Sequence, residues 1–396
     1  MFKKSFLLFS AFLILACKSH PVDEIDKTDI AVGTLPEREL YEITKNIQIT
    51  PIKDNSKFGY IGEIYRVIPY QDYLILFYLD FNSRARSIVI TDDNGNIQNI
   101  ITSLNEGSDY SFLGYAADIS VLNNKLYVFC PFKQKIVTCN LPDLEINGEY
   151  QSNIEADQFI VTNNYIYYYG NNNYNHNGAF YNCIVADWEG NILNKFVTPL
   201  PCLQSNKAFG TNMSSSGASS YLWQSFDYNI YQIQEDKIKI AKSIDFGNLG
   251  IDNALLERCN NQTLDPIDVF NNFEIIGEFQ YANFINGQYF IAFALKMKAI
   301  WAFMNEERAF AFRPNSPFVA SNIIGYFPKW YDNNQNDLYL VLMSDDFTYA
   351  LENAPTEQIN KYKSFSNLDS YPLSDLKQVR QIIVRLKIDP GKIYTN

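Results

Sequence analysis

The stretch Tyr73–Leu79 reads YLILFYL and follows the polar tetrapeptide PYQD. A polar turn followed by an apolar run that starts at Tyr or Leu recurs five more times along the chain. The further runs are Leu126–Cys130 (LYVFC), Tyr165–Gly170 (YIYYYG), Tyr221–Phe226 (YLWQSF), Tyr289–Leu295 (YFIAFAL) and Leu338–Met343 (LYLVLM). None of them alternates strictly between apolar and polar residues. Each run therefore predicts a strand that is covered on both faces.

A second type of strand pair follows several of these runs. Ser87–Thr102 and Asn182–Val197 share the motif D-x-x-G-N-I, which starts at Asp92 in one copy and at Asp187 in the other. The motif predicts a tight hairpin turn, because Asp favours the start of a turn and Gly adopts positive φ. A calcium loop is rejected, since its twelfth position would be Ser103 and not an acid. Further hairpins are predicted at Lys135–Tyr150, Asn229–Asp245 and Ala299–Phe312.

Six units of four strands predict an all-β protein that folds as a single six-bladed β-propeller over residues 42–390. The sixth unit is short of one strand. Its polar insertion from Ser344 to about Leu376 is expected to carry a helix at Thr356–Phe365, and Val379–Ile388 is expected to be its third strand. We expect the N-terminal strand Asn46–Ile52 to complete this last blade, because such closure removes an open sheet edge.

Four segments carry a family resemblance: IGEI at Ile61–Ile64, NEGSDYSFLGY at Asn105–Tyr115, the strand pair Asn229–Asn248 that contains DFG, and the tail VRQIIVRLKI. Together they resemble the six-bladed β-propeller lipoproteins of Bacteroidetes, which are related in fold to NHL-repeat propellers. The chain departs from this pattern in two places. The glycine-rich loop keeps Gly107 but lacks the family's Pro and second Gly, and the tail lacks its Asn-Pro. The resemblance implies the fold and says little about function.

The N-terminus predicts export. Two lysines precede the apolar run Phe6–Ala16, which is too short to span a bilayer and has the length of a signal-peptide core. A small residue followed by Cys17 resembles the bacterial lipobox, and so residues 1–16 are expected to be a lipoprotein signal peptide with Cys17 as the lipid attachment site. The alternative is an ordinary signal peptide with a chance cysteine. Residues 17–41 are expected to form a flexible tether to the cell envelope, at the outer membrane or cell surface.

Composition excludes several functions. The net charge of -12 argues against nucleic acid as a partner. Two histidines and the absence of C-x-x-C argue against a zinc site, and no cofactor or metal is expected. Adjacent acids such as Asp92–Asp93 point to opposite faces of a strand and cannot flank one glycosidic bond. His176 lies in an Asn-rich loop, where it is expected to be solvated. No catalytic residue is therefore predicted.

Candidate ligand-binding residues lie in loops, where binding residues usually sit on a rigid scaffold. Trp188 is expected to be exposed, because the turn DWEG offers no core around it. Asn173 and Tyr174 belong to the Asn-rich loop of the same blade, whereas the remaining tryptophans are expected to pack between blades. The degenerate glycine loop adds the candidates Asp109, Tyr110 and Tyr115.

Two functions remain open at this point. The preferred one is a non-catalytic, lipid-anchored binding or scaffold protein for an envelope protein or glycan. The alternative is a carbohydrate-active enzyme whose carboxylates come from different blades at the channel mouth. Two carboxyl groups about 5–10 Å apart in a cleft would favour the enzyme, and a mouth lined by Tyr, Asn and Ser would favour binding.

Cys130 and Cys139 are a candidate disulfide. In a hairpin centred on Gln134 and Lys135 the two residues would face each other across the strands. An exported compartment permits oxidation. The alternative is a pair of buried thiols that pack as small apolar side chains.

Overall fold

The structure is a computed structural model. It describes residues 27–29, 35–53, 63–79, 86–103, 109–172, 174–175, 179–203, 211–216, 219–224, 227–246, 253–261, 278–285, 287–295, 298–305, 309–319, 326–332 and 336–394. Cys17, Asn173 and His176 lie outside these residues, and so the predictions made for them are not addressed by the structure.

Strands dominate the described part of the chain. In chain order they are β1 Lys27–Asp29, β2 Glu37–Glu39, β3 Thr44–Pro51, β4 Glu63–Tyr70, β5 Tyr73–Leu79, β6 Arg86–Asp92, β7 Ile97–Thr102, β8 Asp118–Leu122, β9 Lys125–Cys130, β10 Lys135–Asn140, β11 Ile146–Gln151, β12 Gln158–Val161, β13 Ile166–Tyr169, β14 Tyr174–Asn175, β15 Ala179–Phe180, β16 Cys183–Ala186, β17 Ile192–Phe196, β18 Met213–Ser216, β19 Ser219–Gln224, β20 Asp227–Gln234, β21 Lys237–Asp245, β22 Glu278–Ile285, β23 Gln288–Leu295, β24 Lys298–Met304, β25 Ala309–Asn315, β26 Trp330–Asp332, β27 Asp337–Met343 and β28 Gln381–Ile388. The helices are α1 Asn253–Asn260, α2 Ser344–Asn353, α3 Thr356–Phe365, α4 Leu373–Leu376 and α5 Pro390–Ile393.

The strands form six antiparallel blades, which confirms the predicted six-bladed β-propeller. From blade 1 to blade 6 the strand orders are β4-β5-β6-β7, β8-β9-β10-β11, β12-β13-β16-β17, β18-β19-β20-β21, β22-β23-β24-β25 and β26-β27-β28-β3. The first strands of neighbouring blades contact each other, as β8 does with β12 and β26 with β4, and so they surround a central axis. Apolar residues on both faces of each blade are buried against the next blade. Trp223 and Trp301 lie fully buried in this way.

The closing strand lies where the sequence predicts it. β3 pairs antiparallel with β28, from Pro51 opposite Ile382 to Thr44 opposite Ile388. Ile47 in this strand is fully buried, which ties the beginning of the propeller to its last blade.

The segment before β3 is more ordered than the sequence suggests. β1 adds a parallel strand to β21 of blade 4, and β2 adds one to β25 of blade 5. The carboxylate of Glu39 accepts hydrogen bonds from Asn315, Gln358 and Tyr362. The prediction of a flexible tether is therefore wrong for residues 27–29 and 35–41. Three-residue strands are held by their backbone, and backbone pairing leaves no hydrophobic period in the sequence.

The insertion in blade 6 is helical. The predicted helix Thr356–Phe365 is present as α3, and α2 and α4 flank it between β27 and β28. Phe347 of α2 stacks on Phe318 with ring centroids 5.1 Å apart, which fixes the insertion against the connection that enters blade 6.

The repeated D-x-x-G-N motif forms the expected tight turn in both copies. Asp92 Oδ1 accepts hydrogen bonds from the backbone N–H groups of Asn94 and Asn96, both at 2.9 Å. Gly95 and Gly190 have φ of 76° and 85°, which only Gly adopts readily. Asp92 has a lowered pKa although partial burial alone would raise it, because the hydrogen bonds from Asn96 and Asn94 stabilise its charged form.

The prediction that Cys130 and Cys139 face each other is wrong. Cys130 pairs with Lys135, and Cys139 pairs with Leu126. The hairpin loop consists of Pro131–Lys133 as a 3₁₀ turn followed by Gln134 in the left-handed region, so that it has four residues and its centre lies two residues before the assumed one. Both thiols are free and buried, and the candidate disulfide is absent. The structure instead joins Cys202 to Cys259, which lie in the connections that enter and leave blade 4.

Candidate ligand-binding site at the channel mouth

The two ends of the propeller have different connections because each blade is antiparallel. We call the end at which the first strand of each blade begins the upper face, and the opposite end the lower face. Connections between blades, and those between second and third strands, lie on the upper face. This face carries helices α2–α4, the hairpin of β14 and β15, and the disulfide between Cys202 and Cys259.

The candidates of the degenerate loop separate in the structure. Asp109 is exposed. Tyr115 is 43% exposed on the upper face, where the Lys133 ammonium lies 4.3 Å from its ring centroid. Tyr110 instead packs between blades 1 and 2, and its hydroxyl donates to the carbonyl oxygen of Leu144. Of these three candidates, Asp109 and Tyr115 are exposed, and Tyr110 is partly buried.

Trp188 does not behave as predicted. It lies on the lower face, and its indole is partly buried against Tyr127 and Tyr150, with ring centroids 5.4 Å and 4.9 Å away. The indole Nε1 donates to the carbonyl oxygens of Thr162 and Asn163. The expectation of an exposed indole is wrong because the neighbouring blade supplies a surface that the local sequence does not show. Tyr174 belongs to the short strand β14 on the upper face, away from Trp188.

A buried ion pair lies on the central axis near the upper face. Arg66 of β4 binds Asp118 of β8 with two hydrogen bonds of 2.8 Å, from Nε to Oδ1 and from NH2 to Oδ2. Both residues are at most 4% exposed. Asp118 Oδ2 also accepts the backbone N–H of Phe159 at 3.1 Å. This geometry is the bidentate arrangement that makes an Arg–carboxylate pair strong and directional.

Further blades contribute to what we call the axial cluster, which consists of Arg66, Asp118, Gln158, Thr211 and Asn212. Arg66 donates to Thr211 Oγ1 at 3.1 Å, and the side-chain Oε1 of Gln158 accepts the backbone N–H of Asn212 at 2.9 Å. The members come from blades 1 to 4, and together they fill the upper part of the axis with fixed polar groups. Burial alone would lower the pKa of Arg66, but Asp118 outweighs burial and the pKa is raised.

A β-bulge in β4 positions the arginine. The register shifts between Ile64, which pairs with Tyr78, and Arg66, which pairs with Phe77, so that Tyr65 is the extra residue. A bulge changes the direction in which side chains point and is common next to functional sites. Burial raises the pKa of Tyr65 to about 12, and its phenol therefore stays neutral at physiological pH.

Next to the axial cluster lies a pocket that we call the mouth pocket. It opens on the upper face between blades 6 and 1, and its cavity volume is about 50 Å³. Its polar lining consists of Glu63 and Gln381, which start β4 and β28, together with Lys329 and Asp346. Gln381 is buried, and its Oε1 accepts the backbone N–H of Ile64 at 3.3 Å.

Lys329 is the unusual group of the mouth pocket. It lies immediately before β26 and is partly buried. Within the described part of the chain its ammonium makes neither a hydrogen bond nor an ion pair. Burial lowers the pKa of Lys329; the charge of Glu63 opposes this shift and that of Arg66 adds to it. The mouth pocket thus contains a cation without a direct counter-ion.

The arrangement offers binding chemistry more readily than a metal centre. Among the described residues, no group of three His, Cys, Asp or Glu side chains is placed to hold a metal ion. The mouth pocket contains a cation, an amide and two carboxylates, which can bind a charged or hydroxylated molecule. The two carboxylates, Glu63 and Asp346, also come from different elements, as the enzymatic alternative requires.

Sequence reasoning missed Arg66, Asp118, Lys329 and Gln381 as site residues. A signal was present for Arg66, because a charged residue inside the apolar strand EIYRVIPY must find a buried partner. Its partner lies 52 residues away on another blade, and nothing local identifies it. Lys329 has no such signal, since a lysine in a connection between strands is ordinary.

The described residues include no apolar helix that is long enough to cross a membrane. A comparison with curated proteins gives no significant match. Among solved structures, the chain is similar to a Bacteroides fragilis protein that is predicted to be exported, with a TM-score of 0.61, 12% identity, and coverage of 89% of this chain and 99% of the other. This likeness shows the fold alone.

Two weaker similarities are to the WD40 domain of Neurospora crassa Pan2 and to Citrobacter koseri AztD. The first has a TM-score of 0.42 with 8% identity, over 82% of this chain and 75% of the other. The second has a TM-score of 0.36 with 8% identity, over 70% and 66%. Neither supports an argument about function. The sequence profile of the DUF5128 family, described as a 6-bladed β-propeller, matches residues 30–316. Because this match covers well over half of the chain, the protein belongs to the DUF5128 family of six-bladed β-propellers.

Proposed function

We propose that this protein is an exported, lipid-anchored propeller that binds an envelope glycan or protein at its upper face without catalysing a reaction. The observation that carries the proposal is the mouth pocket, where Lys329 and Gln381 converge with Glu63 and Asp346 beside a closed axis. Arg66, Asp118 and Gln158 of the axial cluster are held by hydrogen bonds within the cluster. The propeller therefore presents a rigid floor with a polar pocket at its edge, which is a binding geometry.

A second feature of the upper face supports a macromolecular ligand. Phe132 is 85% exposed, and the 3₁₀ turn that carries it contacts the turn of Tyr115. Lys133 lies over the Tyr115 ring. An exposed aromatic pair with a neighbouring cation can stack on a sugar ring or pack against an apolar side chain of a partner.

Export and lipidation rest on three observations. The start of the chain combines two lysines, a short apolar run and Cys17. The Cys202–Cys259 disulfide suits an oxidising compartment. The similar Bacteroides fragilis protein is itself predicted to be exported. An outer-membrane or surface location, a tether over residues 18–26, and kinship with NHL-repeat propellers belong to the same proposal.

Metabolic labelling with a fatty acid tests the anchor. Wild-type protein is expected to incorporate the label and remain in the membrane fraction, and Cys17→Ser is expected to lose both properties. Incorporation of label into Cys17→Ser would contradict the assignment.

A screen of envelope glycans and purified envelope proteins tests the binding function. We expect a ligand whose affinity falls about tenfold in Phe132→Ala, because an aromatic stacking contact is worth about 0.5–1.5 kcal/mol beyond the apolar area that it buries. Trp188→Ala on the lower face is the matched control and should retain affinity. Loss of binding in the control alone would place the site on the wrong face.

The second candidate function is a carbohydrate-active enzyme. Its supporting observation is that Glu63 and Asp346 line the same pocket. An enzyme of this type would hydrolyse a glycan, and Glu63→Gln and Asp346→Asn would each abolish turnover while binding persists. Binding of a glycan that is recovered intact would exclude this candidate.

A further inference from the structure

The protein pairs its enclosed guanidinium groups with carboxylates at two places in the described structure. Arg66 binds Asp118, and Arg385 of β28 donates from Nε to Asp337 Oδ2 at 2.7 Å. Both carboxylates are fully buried. Such pairing is expected, because an unpaired charge away from water is unfavourable.

Lys329 departs from this pattern. Its ammonium lies in the lining of the mouth pocket and makes no hydrogen bond or ion pair within the described residues. Glu63 is close enough to influence it electrostatically but does not contact it. An enclosed cation that faces a pocket and lacks a counter-ion is stabilised when an anion enters the pocket.

The charges of the pocket restrict which anion fits. Arg66 is neutralised by Asp118, so that Lys329 is the only uncompensated cation among the described lining residues. Glu63 and Asp346 line the same pocket and repel any anion, a dianion more strongly than a monoanion. A dianionic phosphate is therefore disfavoured relative to a group that carries one negative charge.

The remaining lining fits a small organic molecule. Gln381 uses its Oε1 for the Ile64 backbone, and its Nε2 makes only a 3.8 Å contact to the sulfur of Met343, so that its amide can also donate to a ligand. Val341 and Met343 add apolar surface. Glu63 and Asp346 can accept hydrogen bonds from hydroxyl groups or from an ammonium.

We propose that the mouth pocket is a carboxylate-binding site in which the Lys329 ammonium contacts the single carboxylate of a small molecule or of a terminal residue. The proposal rests on the proposed binding function and deepens it by naming the chemical class of the ligand. Two sources share this chemistry, an acidic sugar and an amino acid. In both cases the Gln381 amide donates a hydrogen bond to the carboxylate. Glu63 and Asp346 accept hydrogen bonds from the hydroxyl or ammonium groups of the ligand.

Matched probe pairs test the proposal by isothermal titration calorimetry on the full-length protein in mild detergent. The first pair is D-glucuronate and D-glucose, and the second is L-leucine and L-leucinamide. We expect the carboxylate-bearing member of at least one pair to bind and its partner not to bind. The pair that responds identifies the source. Absence of binding by both carboxylates would overturn the proposal.

Variants of two lysines on the upper face then locate the contact. Lys329→Met is expected to weaken the carboxylate at least tenfold, because a charge-assisted hydrogen bond is lost. Lys363→Met removes an exposed lysine of α3 on the same face and should bind as the wild type does. Circular dichroism confirms that both variants fold. Unchanged affinity in Lys329→Met would overturn the assignment.

The pH profile gives a second readout. Since the pKa of Lys329 is lowered, carboxylate affinity should fall at a pH below the ordinary lysine value of 10.5. The screen of glycans and proteins can yield an upper-face ligand whose affinity is unchanged in Lys329→Met. That result would contradict the carboxylate site and leave the proposed function standing. If neither the screen nor the probe pairs yield a ligand, the proposed function fails as well.

Discussion

The upper and lower faces of this propeller are built on the same strands but differ in every connection. The lower face uses short turns, such as the two D-x-x-G-N turns, whose polar groups are satisfied within a few residues. The upper face carries the helical insertion, the disulfide, the axial cluster and the mouth pocket. The blades supply a rigid frame. The polar groups of the axial cluster and the mouth pocket lie towards the face with long connections, partly on blade strands and partly in those connections.

The two faces also differ in how they treat charge. On the lower face, the hydrogen bond to Asn191 is the largest of the influences that lower the pKa of Asp187, and the carboxylate is satisfied by its own turn. On the upper face, Arg66 and Lys329 depend on residues of other blades. Perturbing each face should therefore have different consequences for folding and for binding.

The largest effect is expected on the axis. Asp118→Ala leaves Arg66 buried without its carboxylate and should lower the free energy of unfolding by about 3–5 kcal/mol. Urea denaturation measures the loss. Lys377→Ala, which removes an exposed ion pair with Glu352, is the matched control and should cost less than about 1 kcal/mol. Equal losses of unfolding free energy in the two variants would mean that the buried axial pair stabilises the fold no more than an exposed ion pair does.

The disulfide is expected to have the next largest effect. Cys202 and Cys259 are 57 residues apart, and the chain-entropy estimate for such a loop is about 4 kcal/mol, of which about 2–4 is commonly observed. The double variant Cys202→Ala/Cys259→Ala should unfold at a lower urea concentration than the wild type. Adding reductant should lower the wild-type midpoint and leave the variant unchanged. A shift in the variant would implicate Cys130, Cys139 or Cys183 instead.

The two equivalent glycines of the lower face provide a sharper comparison. An alanine Cβ at position 95 would lie 2.0 Å from the carbonyl oxygen of Pro51 in the closing strand, whereas at position 190 the nearest atom is 3.4 Å away. Gly190→Ala should cost about 1–2 kcal/mol for its positive φ, and Gly95→Ala about 1–3 kcal/mol more from the clash. Thermal unfolding measures both. Equal losses of stability in the two variants would show that the closing strand moves away from the added methyl group at no cost.

The smallest effect concerns Lys329 and has the opposite sign. Lys329→Met removes an enclosed cation without a contacting counter-ion and should raise the free energy of unfolding by about 0.5–1 kcal/mol at neutral pH. Because the pKa of Lys329 is lowered in the folded protein, the unfolded chain binds the extra proton between that pKa and 10.5. Wild-type stability therefore rises through this window relative to the variant.

A comparison of wild type and Lys329→Met across this pH range isolates the contribution of Lys329 to stability, since the buried tyrosines titrate alike in the two proteins. The stability advantage of Lys329→Met should shrink as pH approaches 10.5. A constant difference across the titration would show that Lys329 keeps an ordinary pKa.

Much of the fold follows from the sequence, and little of the site does. The six apolar runs, the turns at Asp92 and Asp187, and α3 are encoded by neighbouring residues, and these predictions are confirmed. The cysteine prediction failed because it placed a two-residue turn at Gln134 and Lys135, whereas the loop runs from Pro131 to Gln134. Trp188 failed because the surface that covers it belongs to another blade.

The sequence by itself determined the number of blades, the closing strand and the tight turns, because local hydrophobic pattern and turn residues specify strands and hairpins. Only the tertiary structure decided that Arg66 meets Asp118, that Cys202 meets Cys259, and that Lys329 lies beside Gln381. The two members of each pair are distant in the chain and come together only when the strands of a blade assemble and neighbouring blades pack. No local period in the sequence records these contacts.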